Sequence, residues 1–308
     1  MKIVLPDYIY FTENHEAQLK SLGEITIYND IPKAEAEIIN RIAGAELITA
    51  AWVDITEQII KSNPRLKYIM IPGVGYDNVD IKAATAAGVK VINSPKHNID
   101  AVAEYTIALI LIVTKKIVAA NNSLKKGNWD TQDYVGTELS GRKLCLIGYG
   151  NIGRKVAQLA SSFGMDVSYA NSKTSASQLD ELIASADILS LHLPVTKQSK
   201  YLIDERRLNL MKKSAYLINT ARGAIADQKA LLKVLKQGRI AGAALDVFEN
   251  EPVTGKPSEE ILELAQLDNV VGTPHIAYNT EETASRLGEE LIENIQACLT
   301  GSPINVVN

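Results

Sequence analysis

The chain has 308 residues, of which 46% are hydrophobic and 22% charged, a globular composition long enough for two domains. Its formal net charge of −4 offers no basic field for a polyanion, which argues against nucleic acid as a partner. The two cysteines, Cys145 and Cys298, have no CxxC neighbour. This argues against a disulfide scaffold or a thiolate metal site and indicates a reducing cytoplasm.

Short β-branched runs alternate with helical stretches along the whole chain. We predict strands at residues 2–6, 25–30, 47–50, 68–73 and 90–95, and a second series at 143–148, 166–170, 187–193, 215–220, 242–248 and 269–275. Strand–helix alternation with nearly continuous apolar strands predicts parallel sheets that helices cover on both faces. The expected fold is α/β, with two Rossmann-like, doubly wound domains.

One long apolar helix, from about Asp100 to Lys125, is predicted to join the two series. Its uncharged core, 105–114, is much shorter than the ~20 residues that a membrane span needs, so we expect a buried helix and no membrane contact. The last helical stretch, 280–299, has an apolar stripe and no strand after it, so it should cross back onto the first domain. The predicted domains are therefore 1–98 with 281–308, and 99–280.

A glycine motif, G-x-G-x-x-G, lies between a predicted strand and a predicted helix. Gly148 allows the tight turn, Gly150 allows a pyrophosphate to approach, and Gly153 allows the helix to pack on the strand. The free N–H groups at the start of the helix then receive the phosphate charge. This context predicts a dinucleotide site.

The segment that follows the next strand bears on the choice of cofactor. Sites that prefer NAD have an acidic residue there, against the ribose hydroxyls, and this chain has Asn171, Ser172 and Lys173. Without the carboxylate nothing repels a 2′-phosphate, which favours NADP(H) and leaves NAD(H) possible. The alternative is that Lys173 is an ordinary solvated lysine of a turn.

Three polar residues follow late strands of the second series: Arg222, Glu251 and His275. Ligands of parallel sheets bind beyond the carboxyl ends of the strands, where the glycine motif also lies. A histidine exchanges protons near neutral pH, a carboxylate orients it, and an arginine grips a substrate carboxylate. Each residue alone is also compatible with a surface or packing role, but their joint placement predicts a catalytic group for carbonyl reduction.

With these residues in place, the chain resembles a known family over nearly its full length. It is similar to the D-isomer-specific 2-hydroxyacid dehydrogenases through the motifs PGVGYDNVD (72–80), NSPKHNIDAVAEYT (93–106), GNW (127–129), ELSGRKLCLIGYGNIG (138–153), ADILSLHLPVT (186–196), LINTARG (217–223), AALDVFENEP (243–252) and TPHIA (273–277). The resemblance implies a nicotinamide-dependent enzyme that interconverts small 2-oxo acids and D-2-hydroxy acids. It also implies a homodimer, with a cleft between a substrate domain and a dinucleotide domain in each subunit. The N-S-K turn looks like that of the NADP-using glyoxylate, hydroxypyruvate and hydroxyphenylpyruvate reductases.

The resemblance also implies roles for individual residues. Arg222, Glu251 and His275 correspond to the catalytic residues, and the first domain corresponds to a substrate domain in which the amides around Val74 and Gly75 hold the substrate carboxylate. The remaining cofactor residues that it implies are Asn151, Ile152, Leu193, Pro194, Thr220, Ala221 and Asp246.

Some positions keep an open interpretation. Trp52 and Tyr278 are candidates for the substrate pocket, although a packing role suits both equally. We expect His192 to be structural and near the cofactor, and His15 and His97 to lie at the surface or in loops. No histidine–carboxylate cluster has the spacing of a metal site, so we expect no metal.

Two alternative functions remain at this point. One is a phosphoglycerate dehydrogenase without a regulatory domain, which would more often use NAD. The other, which we favour least, is a nucleotide-sensing scaffold resembling the C-terminal-binding corepressors. Formate dehydrogenases resemble the chain too, but with glutamine in place of Glu251.

Overall fold

The computed structural model describes residues 1–308, which divide into two compact units. Unit 1 comprises residues 1–98 and 279–308, and unit 2 comprises residues 99–278. Each unit contains its own parallel sheet. The expected α/β class with two parallel-sheet domains is thereby confirmed.

Unit 1 has a five-stranded sheet in the order β2-β1-β3-β4-β5. Its strands are β1 (Lys2–Leu5), β2 (Glu24–Ile27), β3 (Leu47–Thr49), β4 (Tyr68–Met70) and β5 (Lys90–Ile92). Its helices are α1 (Glu13–Ser21), α2 (Glu35–Arg41), α3 (Glu57–Ser62), α4 (Ile81–Ala86) and, from the end of the chain, α12 (Glu281–Leu299). The chain moves from β1 to β2 in one direction and then to β3 on the other side of β1, so the strand order reverses between β1 and β3.

Unit 2 has a six-stranded sheet in the order β11-β10-β9-β8-β6-β7. Its strands are β6 (Lys143–Ile147), β7 (Asp166–Ala170), β8 (Ile188–Leu191), β9 (Tyr216–Asn219), β10 (Gly242–Leu245) and β11 (Val270–Gly272). Its helices are α5 (Ile99–Thr114), α6 (Ile117–Lys125), α7 (Asn151–Ser162), α8 (Ala176–Ser185), α9 (Glu205–Leu210), α10 (Gln228–Lys236) and α11 (Glu259–Ala265). Here the strand order reverses between β6 and β8.

All eleven predicted strands are present, because a strand covered on both faces is a nearly unbroken apolar run. Strand β8 is buried at every position. Most predictions were too long at the carboxyl end: 242–248 was expected and β10 ends at Leu245. The apolar residues continue past the last ladder hydrogen bond and bury themselves in the loops that leave the sheet, as Val247 does.

The single helix expected from Asp100 to Lys125 was wrong. Two helices, α5 and α6, meet at Lys116, whose φ of +54° is left-handed and ends the regular hydrogen-bond pattern. Apolar composition continues across this break, so hydropathy alone could not reveal it. Helix α5 has nine buried side chains, whereas no residue of α6 is buried.

Helix α12 packs on α1 inside unit 1. The contact is close at Gly288, where an added Cβ would lie 2.2 Å from His15 Nδ1. The tail after α12 also joins unit 1, because Val306 bridges to Ile92 of β5 in antiparallel fashion. Residues from the far end of the sequence therefore complete the core of unit 1.

The expectation of a surface or loop position was wrong for His15 and was met by His97, which lies in a loop. Both side chains are buried, His15 on α1 and His97 in the loop after β5. A Ser94 carbonyl lies 2.9 Å from His97 Nδ1, and a buried glutamate, Glu290, accepts the His97 N–H at 3.1 Å. Glu290 and Gly288, which lie against these two histidines, belong to α12, so no local sequence pattern records the contacts.

Among the helices, none combines the length and apolarity required to cross a membrane.

Candidate active site

The turn between β6 and α7 requires two of its glycines for steric reasons. Gly148 has a φ of +101°, and a Cβ there would lie 2.1 Å from the His192 carbonyl oxygen. A Cβ on Gly153 would lie 2.4 Å from the Gly148 carbonyl oxygen. The first contact holds the turn against the loop that follows β8, and the second holds α7 against the turn.

Gly150 differs from the other two glycines because a Cβ there would meet no atom within 4 Å. It is the N-cap of α7 and provides no side-chain hydrogen bond to the first turn, where Asn151 and Ile152 follow. Open space above uncapped N–H groups at the positive end of a helix suits a phosphate group. The residues present therefore fit the pyrophosphate of a dinucleotide.

The segment after β7 forms an exposed turn held by its own asparagine. The side-chain oxygen of Asn171 accepts the Lys173 N–H at 2.9 Å, and the Asn171 N–H donates to Thr174 Oγ1 at 3.0 Å. Asn171, Ser172 and Lys173 are all exposed. The turn presents an ammonium and a hydroxyl, and no carboxylate, at the end of β7.

The loop after β8 lies beside the glycine turn, where the strand order of unit 2 reverses. The His192 N–H donates to the Ile147 carbonyl at 2.7 Å, and Leu193 and Pro194 follow it. Doubly wound sheets bind ligands outside the carboxyl ends of their strands at this reversal. The expectation that His192 is structural is supported by its 2.8 Å hydrogen bond to Ser190.

His275 and Glu251 form the central hydrogen bond of the site. Nδ1 of His275 lies 2.7 Å from Glu251 Oε2, and the other carboxylate oxygen accepts the Phe248 N–H at 2.6 Å. The carboxylate therefore fixes the imidazole while its own loop fixes the carboxylate. Both side chains keep solvent access, with 41% and 29% of their side-chain surface exposed. Tyr278 stands edge-on to the imidazole, with 6.0 Å between ring centroids.

The backbone that carries His275 is unusual, because its φ of +54° is left-handed for a residue with a side chain. Asp246, which follows β10 and is fully buried, stabilises this backbone by accepting hydrogen bonds from the loop that carries His275. One oxygen of Asp246 accepts the Thr273 hydroxyl at 2.6 Å and the Ile276 N–H at 2.9 Å, and the other accepts the Ala277 N–H at 2.9 Å. Both carboxylate oxygens of this predicted cofactor residue are thus engaged with the histidine loop.

Arg222 follows β9, and its loop rests directly on the loop that carries Glu251. A Cβ on the adjacent Gly223 would lie 2.0 Å from the carbonyl carbon of Phe248, so only glycine permits this approach. Arg222 Nη1 donates to the Ala221 carbonyl at 2.9 Å, and the Thr220 hydroxyl pairs with that of Thr106 at 2.9 Å. Arg222, Glu251 and His275 therefore follow three adjacent strands, β9, β10 and β11, at the same edge of the sheet.

The remaining predicted substrate residues lie in two loops of unit 1. Val74 and Gly75 follow β4, and the Val74 carbonyl accepts Asn93 Nδ2 at 2.8 Å. Trp52 follows β3, and its indole Nε1 donates to the Tyr8 carbonyl at 2.9 Å. Sequence reasoning missed Asp7, whose carboxylate accepts three N–H groups of the Trp52 loop. The only sequence feature that indicated a role for Asp7 is its position directly after a buried strand.

Comparison with known proteins agrees with this arrangement. A family model described as "D-isomer specific 2-hydroxyacid dehydrogenase, NAD binding domain" matches residues 107–277, more than half of the chain. The chain belongs to this family. The match begins inside α5 and ends two residues after His275, and it includes the glycine turn.

Relatives of known name extend the likeness over the whole chain. A glyoxylate reductase of Thermofilum pendens is 39% identical over 95% of this chain and 90% of its own length. A D-3-phosphoglycerate dehydrogenase of Methanocaldococcus jannaschii is 37% identical over 100% of this chain, which spans only 59% of that protein. A solved acyclic imino acid reductase, in complex with NADPH and D-Arg, superposes with a TM-score of 0.91 at 34% identity and covers both chains fully.

Family membership gives the reaction class. The chain is an oxidoreductase of the 2-hydroxyacid dehydrogenase type, with a Rossmann domain for a nicotinamide cofactor. No cluster of three or more His, Cys, Asp or Glu side chains is arranged to hold a metal ion.

The buried environment of His192 predicts an acid-sensitive contribution to stability. Burial lowers the pKa of His192 to about 4, below its ordinary value of 6.5. As the pH falls below 6.5, His192 becomes protonated in the unfolded chain, whereas in the folded protein it stays neutral down to about pH 4. His192 therefore stabilises the fold fully above pH 6.5 and loses that contribution between pH 6.5 and 4, by at most roughly 3 kcal/mol.

The variant His192→Asn should show a weaker decline of unfolding free energy between pH 6.5 and 4.5, because asparagine does not titrate there. Urea unfolding at a series of pH values measures this slope. Ser190→Ala is the control, since it removes the hydrogen bond to His192 and leaves the titrating ring. An unchanged slope in His192→Asn would contradict the prediction.

Proposed function

We propose that this protein reduces a small 2-oxo acid, such as glyoxylate or hydroxypyruvate, to the corresponding 2-hydroxy acid, the D isomer where the product is chiral, with NADP(H) as the favoured cofactor. The observation that carries the proposal is the hydrogen-bonded pair of His275 and Glu251 at the sheet edge that also bears the glycine turn. Unit 2 would bind the cofactor, and the loops of unit 1 with Trp52, Val74 and Gly75 would bind the substrate. Tyr278, a neutral phenol whose pKa is raised by burial, is a further candidate for contact with the substrate.

The chemistry follows from the atoms that the pair leaves available. Glu251 holds Nδ1 of His275, so Nε2 is the atom that donates a proton to the carbonyl oxygen as it becomes a hydroxyl. Arg222 would bind the substrate carboxylate with its planar fork and polarise the carbonyl. A nicotinamide cofactor, with its pyrophosphate held at the glycine turn, would supply the hydride. In the reverse direction His275 accepts the proton, and Glu251 stabilises the imidazolium.

A second candidate is supported by the relative from Methanocaldococcus jannaschii, a phosphoglycerate dehydrogenase. The two candidates differ in the charge of the substrate side chain, which carries a phosphate in one and none in the other. Activity with 3-phosphoglycerate and NAD would favour this alternative over the reductase. Tight cofactor binding without turnover of any acid would favour the scaffold function instead.

The proposed chemistry predicts the effect of changes at the pair. His275→Asn should lower kcat for NADPH oxidation with glyoxylate by about 10²–10⁴-fold, because the proton donor is lost. Glu251→Gln should cause a smaller loss, since the imidazole remains but its carboxylate partner does not. Steady-state kinetics measures kcat, and a fluorescence titration measures cofactor binding, which should stay within about twofold because both residues act on the substrate.

Glu249→Gln is the matched control for these variants. Glu249 lies in the same loop but accepts the Tyr201 hydroxyl at 2.7 Å and the Gln228 N–H, not His275. Its kcat should stay near that of the wild type. If His275→Asn kept its turnover, the acid–base assignment would be wrong.

The preference for NADP(H) rests on the turn at Asn171, Ser172 and Lys173. Its exposed ammonium and hydroxyl suit a 2′-phosphate, and the Asn171 side-chain oxygen is engaged by the Lys173 N–H. The similar imino acid reductase was solved with NADPH, which supports the same preference. Asn151, Ile152, Leu193, Pro194, Thr220 and Ala221 would line the rest of the cofactor site.

Lys173→Ala should therefore raise KM for NADPH about tenfold, the loss of one hydrogen bond to a charged group, and leave KM for NADH unchanged. Lys82→Ala, an exposed lysine on α4 of unit 1, is the control and should affect neither cofactor. Steady-state kinetics with NADPH and with NADH, each at a saturating concentration of the 2-oxo acid, measures both KM values. An equal loss for NADH and NADPH would exclude a 2′-phosphate contact.

We also propose that the protein is a homodimer. Helix α6 and the segment after it expose large apolar side chains, namely Ile117, Val118, Leu124, Trp129 and Val135. Trp129 is 86% exposed, an uncommon state for an indole in a monomer. A second copy of the chain is the partner that the family resemblance implies.

The homodimer predicts that Trp129→Ser will shift the protein from dimer to monomer in light scattering after size-exclusion chromatography. The apolar area lost with the indole destabilises the interface more than it affects either unit. Phe163→Ser, which removes another exposed aromatic at the end of α7, should leave the dimer intact. A wild-type monomer at micromolar concentration would contradict the proposal.

A cytoplasmic location stays a prediction. Cys145 and Cys298 are both buried and unpaired, as a reducing compartment allows. Burial raises the pKa of each thiol to about 11, so neither is a nucleophile for the reaction.

A further inference from the structure

Unit 1 contains a fully buried carboxylate, Asp7, just beyond the end of β1. Its Oδ2 accepts three consecutive N–H groups, from Ala51 at 2.9 Å, Trp52 at 2.6 Å and Val53 at 3.2 Å. Its Oδ1 is buried as well and has no hydrogen-bond partner. A carboxylate in this position costs stability, and burial accordingly raises the pKa of Asp7.

The position of Asp7 in the sheet is the one where doubly wound folds bind ligands. The strand order of unit 1 reverses between β1 and β3, and Asp7 follows β1 while the loop 50–54 follows β3. Both lie outside the carboxyl ends of these two adjacent strands. A buried carboxylate that lowers the stability of the fold is more consistent with fixing the conformation of a ligand-binding loop than with stabilising the core.

A second side chain, Asn78, holds the same loop through its carbonyl groups. Asn78 Nδ2 donates to the Ala50 carbonyl at 3.3 Å and to the Val53 carbonyl at 2.9 Å. Asp7 thus accepts hydrogen bonds from backbone N–H groups of the loop 50–54, and Asn78 donates hydrogen bonds to backbone carbonyl groups of the same loop. Asn78 belongs to the loop after β4, which also carries Val74 and Gly75. The two predicted substrate loops of unit 1 are therefore fixed to one another.

The loop presents one large side chain, Trp52, which is 42% exposed. The Trp52 N–H makes the shortest of the three bonds to Asp7, and its indole Nε1 donates to the carbonyl of Tyr8, the neighbour of Asp7. Backbone and side chain of the tryptophan are both attached to the segment after β1. The indole is therefore a rigid apolar wall at the ligand-binding edge of unit 1.

We propose that Asp7 is a positioning residue that fixes the indole of Trp52 against the substrate side chain, so that the enzyme favours 2-oxo acids with a side chain that packs on the indole over glyoxylate, which has none. The inference rests on the proposed function. Glyoxylate has no side chain beyond its aldehyde carbon, whereas pyruvate, hydroxypyruvate and phenylpyruvate have one. Loss of the wall should therefore affect the larger acids and spare glyoxylate.

The test compares kcat/KM for glyoxylate with kcat/KM for whichever of those three larger acids the wild type reduces fastest. In Asp7→Ala the ratio of larger acid to glyoxylate should fall about tenfold, the effect of losing apolar packing on a small group. Trp52→Ala should cause the same fall, and the double variant should fall no further, because both changes remove the same wall. Asp7→Asn should recover most of the ratio, since its amide oxygen still accepts the N–H groups.

Asn63→Ala is the control for general damage to unit 1. Asn63 is also buried, and its amide donates to the Ile42 and Ala45 carbonyls, before the start of β3. This variant should lower stability and leave the substrate ratio unchanged. An equal fall for both acids in Asp7→Ala, an unchanged ratio or a higher ratio would overturn the inference.

A fluorescence measurement separates this inference from the proposed function. The chain has two tryptophans, so in a Trp129→Phe background the emission comes from Trp52 alone. Asp7→Ala should increase the acrylamide quenching of Trp52 at least twofold as the loop loosens, and Asn63→Ala should not. Unchanged quenching would refute the positioning role. Absence of turnover by the wild type with every acid would refute the proposed function and the discrimination, even if the quenching increased.

Discussion

The parallel direction of every strand pair is the constraint on which the rest of this protein depends. Because all strands of a sheet run the same way, all their carboxyl ends meet at one edge. Arg222, Glu251 and His275 are tens of residues apart in sequence, and each follows a strand of unit 2. The pairing of β9, β10 and β11 alone brings their loops together, and the side-chain contacts then refine the geometry.

Direct packing between these loops then fixes the positions of the site residues that the sheet brings together. The Gly223 backbone lies against Phe248, and Glu251 accepts the Phe248 N–H while it holds His275. Asp246 stabilises the left-handed backbone of His275 from beneath. Such a chain of short-range contacts gives the imidazole one orientation, which a proton donor needs.

The sequence was sufficient for the parts of the fold that follow from local patterns. Strand number, sheet class, the glycine turn and the strand ends with polar residues all depend on apolar runs and their neighbours, and all were predicted. The break at Lys116 was not, because a left-handed residue between two apolar helical segments changes neither composition nor periodicity. The burial of His15 and His97 depends on α12, almost 200 positions beyond His97, and no local pattern records such a contact.

Buried acids were the hardest residues to interpret. Asp246 matched a cofactor-lining position by resemblance, yet its two oxygens hold the histidine loop. No role was predicted for Asp7, although its carboxylate holds the loop of Trp52 in the same way. Both follow a buried strand at the point where the ladder ends. An acid there satisfies the N–H groups of the next loop, which is a general means of fixing a loop that a sheet no longer orders.

The divided course of unit 1 has a consequence for the order in which the protein matures. Unit 2 is continuous from residue 99 to 278, so all of its residues are synthesised before α12 is. Unit 1 begins first but lacks α12 and the segment that bridges β5 until residues 279–308 emerge. During that interval the apolar surface of β1 and α1 that α12 later covers stays open to water. The nascent chain is then most vulnerable to aggregation or chaperone capture at its amino-terminal part.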